Sequence, residues 1–231
     1  DAKEATALEE GYTGDKVCAD CGEVIEKGTS IPATGTTTDE QGNIYTVTSS
    51  DQDNLTVEYS ITTDADAKSI VIPDTVKDAN GVEYKVTRIA DKALNGNKKV
   101  TTVTIGKNIT EIGKNAFMNC SNLKTVTVNS RSITKIGANA FSGDKKLATL
   151  DLSKSKVKTI GKNAFSGCKK LKTIKINANK LTTVGKNAFK NVKKNAKITI
   201  YAKNEKTYNK AVKKLEKSGA KNVKYAFKKK K

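Results

Sequence analysis

The sequence predicts a β-rich, right-handed solenoid built from turns of 24 residues, and three observations predict it. The first is literal repetition. Aligned on one turn the chain reads ITEIGKNAF, ITKIGANAF, VKTIGKNAF and LTTVGKNAF, placing phenylalanine at Phe117, Phe141, Phe165 and Phe189, each 24 residues after the last. The second is that other columns keep the period. Ile112, Ile136, Ile160 and Val184 precede the glycine, and Leu123, Leu147 and Leu171 follow the phenylalanine. A worn copy, VTRIADKAL, sets Ile89 and Leu94 in the Ile and Phe places 23 residues earlier, making at least five rungs. The third is that no rung can fold alone. Apolar side chains such as Val126, Ile133, Ile136, Phe141 and Leu147 contribute about 1.5–3 kcal/mol each, while ordering the backbone costs about 1–2 kcal/mol per residue. The rungs must stack to share backbone pairing and cover their apolar edges. Periods of about 20–50 residues mark stacked arrays, and this Leu, Ile and Phe pattern falls in the leucine-rich-repeat range.

Composition agrees. The 231 residues are 36% apolar but only 5% aromatic, with no Trp, which suits a thin, elongated core. No apolar run approaches the roughly 20 residues of a membrane helix. Asp1 opens an acidic, polar stretch without a signal-peptide pattern, so the chain reads as a mature or trimmed product. Charge divides it: residues 1–68 hold 15 acidic and 4 basic side chains, whereas residues 69–231 hold 9 and 39. This asymmetry separates a leader from a body able to hold a polyanion.

Taken in order, residues 1–36 form a small acidic module or linker. Cys18 and Cys21 make a CxxC there, but no His exists in the chain and the next Cys is Cys120, so a zinc site lacks its second ligand pair. A local Cys18–Cys21 disulfide suits an oxidising exterior; free thiols and a metal site are the alternatives. The stretch GYTGDKVCADCGEVIEKGTSIPATG resembles small cysteine-containing modules of bacterial surface proteins, with Ala7 and Thr36 where those modules carry a further Cys and a His.

Residues 37–68 form an N-terminal β cap. IYTVT at 44–48 and LTVEYSI at 55–61 alternate apolar and polar residues, predicting a hairpin that shields the first rung. IVIPDTV and VEYKV then lead in, with Pro73 ending a strand. Residues 69–200 are the repeats. In each rung an alternating segment supplies a strand, with Val103 and Ile105, Val126 and Val128, Leu150 and Leu152, Ile174 and Ile176, and Ile198 and Ile200 pointing inward. Their neighbours then form outward columns on a parallel sheet. One is Thr102, Thr125, Thr149, Thr173 and Lys197; the next is Thr104, Thr127, Asp151, Lys175 and Thr199. The IGKNAF segment is read as the return turn. Its glycines, Gly113, Gly137, Gly161 and Gly185, require positive φ or close backbone approach, and Asn115, Asn139, Asn163 and Asn187 suggest a side-chain ladder.

Cys120 and Cys168 share a column with Asp144 and Val192. Two rungs at about 4.8 Å separate their backbones by nearly 10 Å, beyond the ~7 Å reach of a disulfide, so both are read as free, inert thiols. A second pattern is the lysine pairs Lys98–Lys99, Lys145–Lys146, Lys169–Lys170 and Lys193–Lys194, which recur on the same two repeat positions with Ser121 and Asn122 interrupting, and stack along one flank. Residues 201–231 form a C-terminal cap. Tyr208, Ala211, Val212 and Leu215 at helical spacing, Asn204 as N-cap and Gly219 as stop predict a helix. VKYAF at 223–227 predicts a last strand, and Lys228–Lys231 a frayed tail.

The order I-x-x-I-G-x-x-A-F-x-x-C-x-x-L-x-x-V in ITEIGKNAFMNCSNLKTVTV resembles the BspA-like leucine-rich-repeat family of bacterial surface proteins, over residues 69–200. The family's Pro after the strand survives only as Pro73, with Gly106, Asn129, Ser153 and Asn177 in the other rungs. The resemblance implies export, surface display and adhesion or protein recognition.

Catalytic chemistry finds no foothold. There is no His, no GxSxG, no Walker or dinucleotide fingerprint, and the repeats from 100 to 200 carry only Glu111, Asp144 and Asp151 as carboxylates. No cofactor is expected. Two binding readings follow for an extracellular, non-enzymatic monomer. One is capture of a host or bacterial surface protein on the Thr-rich sheet face. The other is retention on anionic cell-wall polymers or acidic glycans through the lysine columns. Nucleic acid is disfavoured because the lysine columns carry no stacking aromatics.

Overall fold

The computed structural model describes residues 11–12, 16–17, 21, 24–26, 30–31, 35–51, 53–78 and 81–230. In the leader, β1 (Gly11–Tyr12) pairs with β4 (Ser30–Ile31), and β2 (Lys16–Val17) with β3 (Val24–Glu26), both antiparallel. Cys21 is exposed. Cys18 lies outside the described residues, and with it the expected Cys18–Cys21 bridge.

The N-terminal cap is β5 (Thr36–Thr38), β6 (Asn43–Ser49) and β7 (Thr56–Thr62), an antiparallel meander. Each of the first five rungs then has two strands. The alternating segments give β8 (Ser69–Ile72), β11 (Thr102–Ile105), β13 (Thr125–Val128), β15 (Thr149–Leu152), β17 (Thr173–Asn177) and β19 (Lys197–Ala202). The residues before the repeat glycine give β10 (Glu83–Ile89), β12 (Glu111–Ile112), β14 (Lys135–Ile136), β16 (Thr159–Ile160) and β18 (Thr183–Val184). A short β9 (Thr75–Lys77) after Pro73 folds back antiparallel on β10. In the sixth turn, α1 (Glu205–Lys217) takes the place of the second strand before β20 (Lys224–Lys229) closes the sheet.

Three features correct the sequence reading. The segment read as a plain return turn begins with a second parallel ladder, β10 to β18, and the cap extends that ladder through the β7–β10 pairing. The alternating strands, in turn, form two ladders: β8–β11–β13, and β15–β17–β19–β20. They part between β13 and β15, which no strand pairing joins. A third correction is that Lys228 and Lys229, expected in a frayed tail, belong to β20, and Lys230 Nζ donates to Ser153 O at 2.9 Å.

The core is a continuous apolar column. Phe117, Phe141, Phe165 and Phe189 are fully buried and stack with centroids 4.9, 5.3 and 5.3 Å apart. At the front the core is closed by buried Tyr45 and Tyr59, with Tyr59 in register with Ile89 and Ile112. Tyr45 OH donates to Asp39 at 2.6 Å and Tyr59 OH to Asn43 Oδ1 at 3.2 Å. The glycine alternative resolves as close approach. A Cβ on Gly137, Gly161 or Gly185 would lie within about 2.5 Å of the preceding rung's backbone, while positive φ falls on Asn115, Asn139, Asn163 and Asn187. Asn does so because its short polar side chain tolerates the left-handed region; a side-chain ladder forms at one step, Asn139 Nδ2 to Asn115 Oδ1 at 3.0 Å.

Candidate binding surfaces

The strand registers bring the predicted face together in two blocks. Ser69, Thr102 and Thr125 align, as do Val71, Thr104 and Thr127. Beyond the break, Thr149, Thr173, Lys197 and Lys224 align, beside Asp151, Lys175, Thr199 and Ala226. All of these side chains lie at least partly in solvent, because strand alternation sends their neighbours into the core. Ser69, Val71, Lys224 and Ala226 extend the face beyond the positions recognised in the sequence. The signal was there: SIVI and KYAFKK carry the same alternation without the full rung motif.

The two blocks differ chemically. The first is neutral and hydroxylated, with Val71 exposed among Ser and Thr. The second carries Lys175, Lys197, Lys224 and Lys228, with Lys228 Nζ 5.5 Å from the Tyr201 ring centroid. Its one acid, Asp151, is held by Lys175 Nζ at 2.8 Å and by Ser153 Oγ at 2.6 Å. Partial burial pushes the Asp151 carboxyl up, but those contacts outweigh it and hold it below its ordinary value.

The lysine flank is exposed throughout. Asn122 bridges the interruption, its Nδ2 donating to Lys98 O at 2.6 Å and its Oδ1 accepting from Lys146 Nζ at 2.7 Å. Lys99 pairs with Asp66 at 2.9 Å and Lys98 Nζ donates to Asn119 O. Lys145, Lys169, Lys170, Lys193 and Lys194 make no ion pair among the described residues.

A charge ladder lies on the outer side of the second sheet, where Arg88 pairs with Glu58, with Asp91 at 2.6 Å and with Glu111 at 3.6 Å, and Lys135 reaches Glu111 at 2.9 Å. It stitches the cap to the first rungs. Inside, Cys120 and Cys168 are buried free thiols donating to Leu94 O and Phe141 O. Asp144 between them is fully buried with neither carboxylate oxygen partnered, and burial pushes its carboxyl up to about 9.

A family model for the BspA type leucine rich repeat region matches residues 87–217 in six copies, more than half of the chain. The chain belongs to this family. Among solved structures, the chain is similar to a leucine rich repeat protein of T. pallidum, at 21% identity and TM-score 0.57 over 71% of each chain. It is also similar to the pneumococcal vaccine antigen PcpA, at 19% identity and TM-score 0.59, covering 85% of this chain and 50% of that one. A leucine rich cell surface protein of Faecalibacterium prausnitzii aligns at 25% identity and TM-score 0.49, over 73% and 55%. These likenesses concern the fold. No curated protein sequence matches the chain. No helix among the described residues is long and apolar enough to cross a membrane.

Proposed function

We propose that this BspA-type repeat chain is a non-catalytic adhesion module, displayed outside the cell, that captures a protein partner on the outward face of the strand ladders. The observation that carries this reading is the pair of in-register blocks of hydroxyl side chains, Ser69, Thr102 and Thr125 in one and Thr149 and Thr173 in the other. Hydrogen-bonded strands hold it rigid, so a partner docks without an ordering cost on this side. The test is Thr125→Lys, Thr149→Lys and Thr173→Lys together, assayed on an array of host matrix proteins and anionic glycans. Protein capture is expected to disappear with the fold intact; unchanged capture would move the site off this face.

The unpaired lysines of the flank favour a second reading, retention on anionic polymers. There, affinity falls steeply between about 50 and 200 mM salt as counterions are released. Lys145, Lys146, Lys169 and Lys170 changed to Gln would flatten that slope and leave capture by the threonine face untouched. A flat salt curve for every anionic polymer removes this reading.

A further inference from the structure

The solenoid passes its return turns forward through backbone hydrogen bonds, and the last turn has donors left over. In each inner rung, two of these donors flank the phenylalanine N–H. Asn115 and Asn119 donate to Ala138 O and Ser142 O at 2.9 and 2.8 Å, Asn139 and Gly143 to Lys162 O and Ser166 O at 2.8 Å, and Asn163 and Gly167 to Lys186 O and Lys190 O at 3.0 and 2.9 Å. In the last rung only the middle donor is served, Phe189 N–H reaching Ser218 O at the end of α1 at 3.2 Å. The Asn187 and Asn191 N–H groups have no acceptor among the described residues.

Both residues line a groove of about 480 Å³ between the last turn and the segment after α1. Lys190, Lys194 and Lys221 stand around it, and no acidic side chain among the described residues lines it. Gly219, at φ 87°, forms part of the wall against Lys190. The negative end of α1 is close by, but the carbonyls of Lys214, Leu215 and Glu216 are occupied. Ser218 N–H is shared by Lys214 O and Leu215 O, Gly219 N–H serves Glu216 O and Ala220 N–H serves Leu215 O, each at 3.1 Å. Two spare backbone donors, three ammonium groups and no competing carboxylate in one concavity make a receptor for an anion with several acceptor oxygens.

We propose that this groove at the C-terminal end of the solenoid binds a tetrahedral oxyanion, the phosphate or sulfate group of a small anion or of a polymer. The site shares only Lys194 with the lysine flank and nothing with the strand face, so it stands whether or not those surfaces bind.

The experiment is an amide NMR titration of the full chain with inorganic phosphate, at ionic strength held constant with chloride. The Asn187 and Asn191 amides are expected to move downfield along a saturating curve, while their counterparts Asn139 and Gly143 stay fixed. Lys190→Gln with Lys221→Gln is expected to weaken binding by about tenfold or more, as charge-assisted contacts are lost, and the same spectra report that the variant is folded. A parallel titration with a sulfated disaccharide distinguishes the sources. Saturation at lower concentration than phosphate assigns the group to a glycan, and weaker saturation assigns the site to the free anion. Lys145, Lys146, Lys169 and Lys170 changed to Gln should leave these shifts intact, which separates this site from the flank. Shifts that do not saturate, that chloride reproduces, or that survive in the Lys190 and Lys221 variant overturn the proposal.

Discussion

The phenylalanine column and the column three residues beyond it pass through the same four rungs, yet only the first repeats. Phe117, Phe141, Phe165 and Phe189 keep one residue and one ring orientation, with centroids about 5 Å apart. The neighbouring column reads Cys120, Asp144, Cys168 and Val192, and Asp144 places a carboxyl with no partner in a fully buried position. Backbone pairing sets the rung spacing in both. A ring fills that spacing completely, whereas the smaller column tolerates a change of chemistry at constant size. Cys and Asp occupy similar volumes, but the Cys120 and Cys168 thiols donate to carbonyls of the preceding rung, whereas neither oxygen of the Asp144 carboxyl has a partner. The lesson is that a repeat protein spends its specificity on the large column and carries misfits in the small one.

Phe141→Ala tests the first half of that contrast and should have the largest effect. It opens a gap in the middle of the stack and should cost about 3–5 kcal/mol in a denaturant titration. A loss under about 1 kcal/mol would show that the neighbouring rings collapse into the space.

Gly161→Ala tests the spacing on which both columns depend. Its Cβ would meet Ala138 N at 2.5 Å, a backbone atom that cannot rotate away. The rungs must separate locally, for a loss of about 1–3 kcal/mol, together with weaker amide-exchange protection at Gly161 and Gly185.

Asp144→Cys tests the misfit and should raise stability, by about 1–3 kcal/mol at neutral pH, as an unsatisfied buried polar group is removed. Its pH signature is specific. The unfolded chain releases the Asp144 proton near the ordinary value of 3.8, whereas the folded chain holds it until about 9. The unfolded state therefore loses its proton first, and this residue makes the wild type progressively less stable as pH rises through that window. The Asp144→Cys variant should lose that slope; parallel pH curves for variant and wild type would place a cation or water beside the carboxylate.

The smallest effect belongs outside the core. Thr125→Lys, Thr149→Lys and Thr173→Lys should each change stability by about 0.5 kcal/mol or less. A larger loss would mean that the outward columns also bear packing.

The sequence by itself determined the turn length, the inward strand residues, the phenylalanine stack, the helix between Asn204 and Gly219, and the alignment of Thr102 with Thr125 and of Thr149 with Thr173. All of these follow from periodicity, because a side chain that recurs every 24 residues must meet its own copy. Tertiary structure decided what periodicity leaves degenerate. A two-residue strand such as Glu111–Ile112 is too short to show alternation and exists only through its neighbours' hydrogen bonds. The break between Thr125 and Thr149, themselves 24 residues apart, leaves no mark in the repeat period and shows only in the strand pairing. Lys228 and Lys229 look like a tail until β19 offers them a partner edge. The spare Asn187 and Asn191 donors were the least legible, since nothing distinguishes that turn from the earlier ones except the missing rung beyond it.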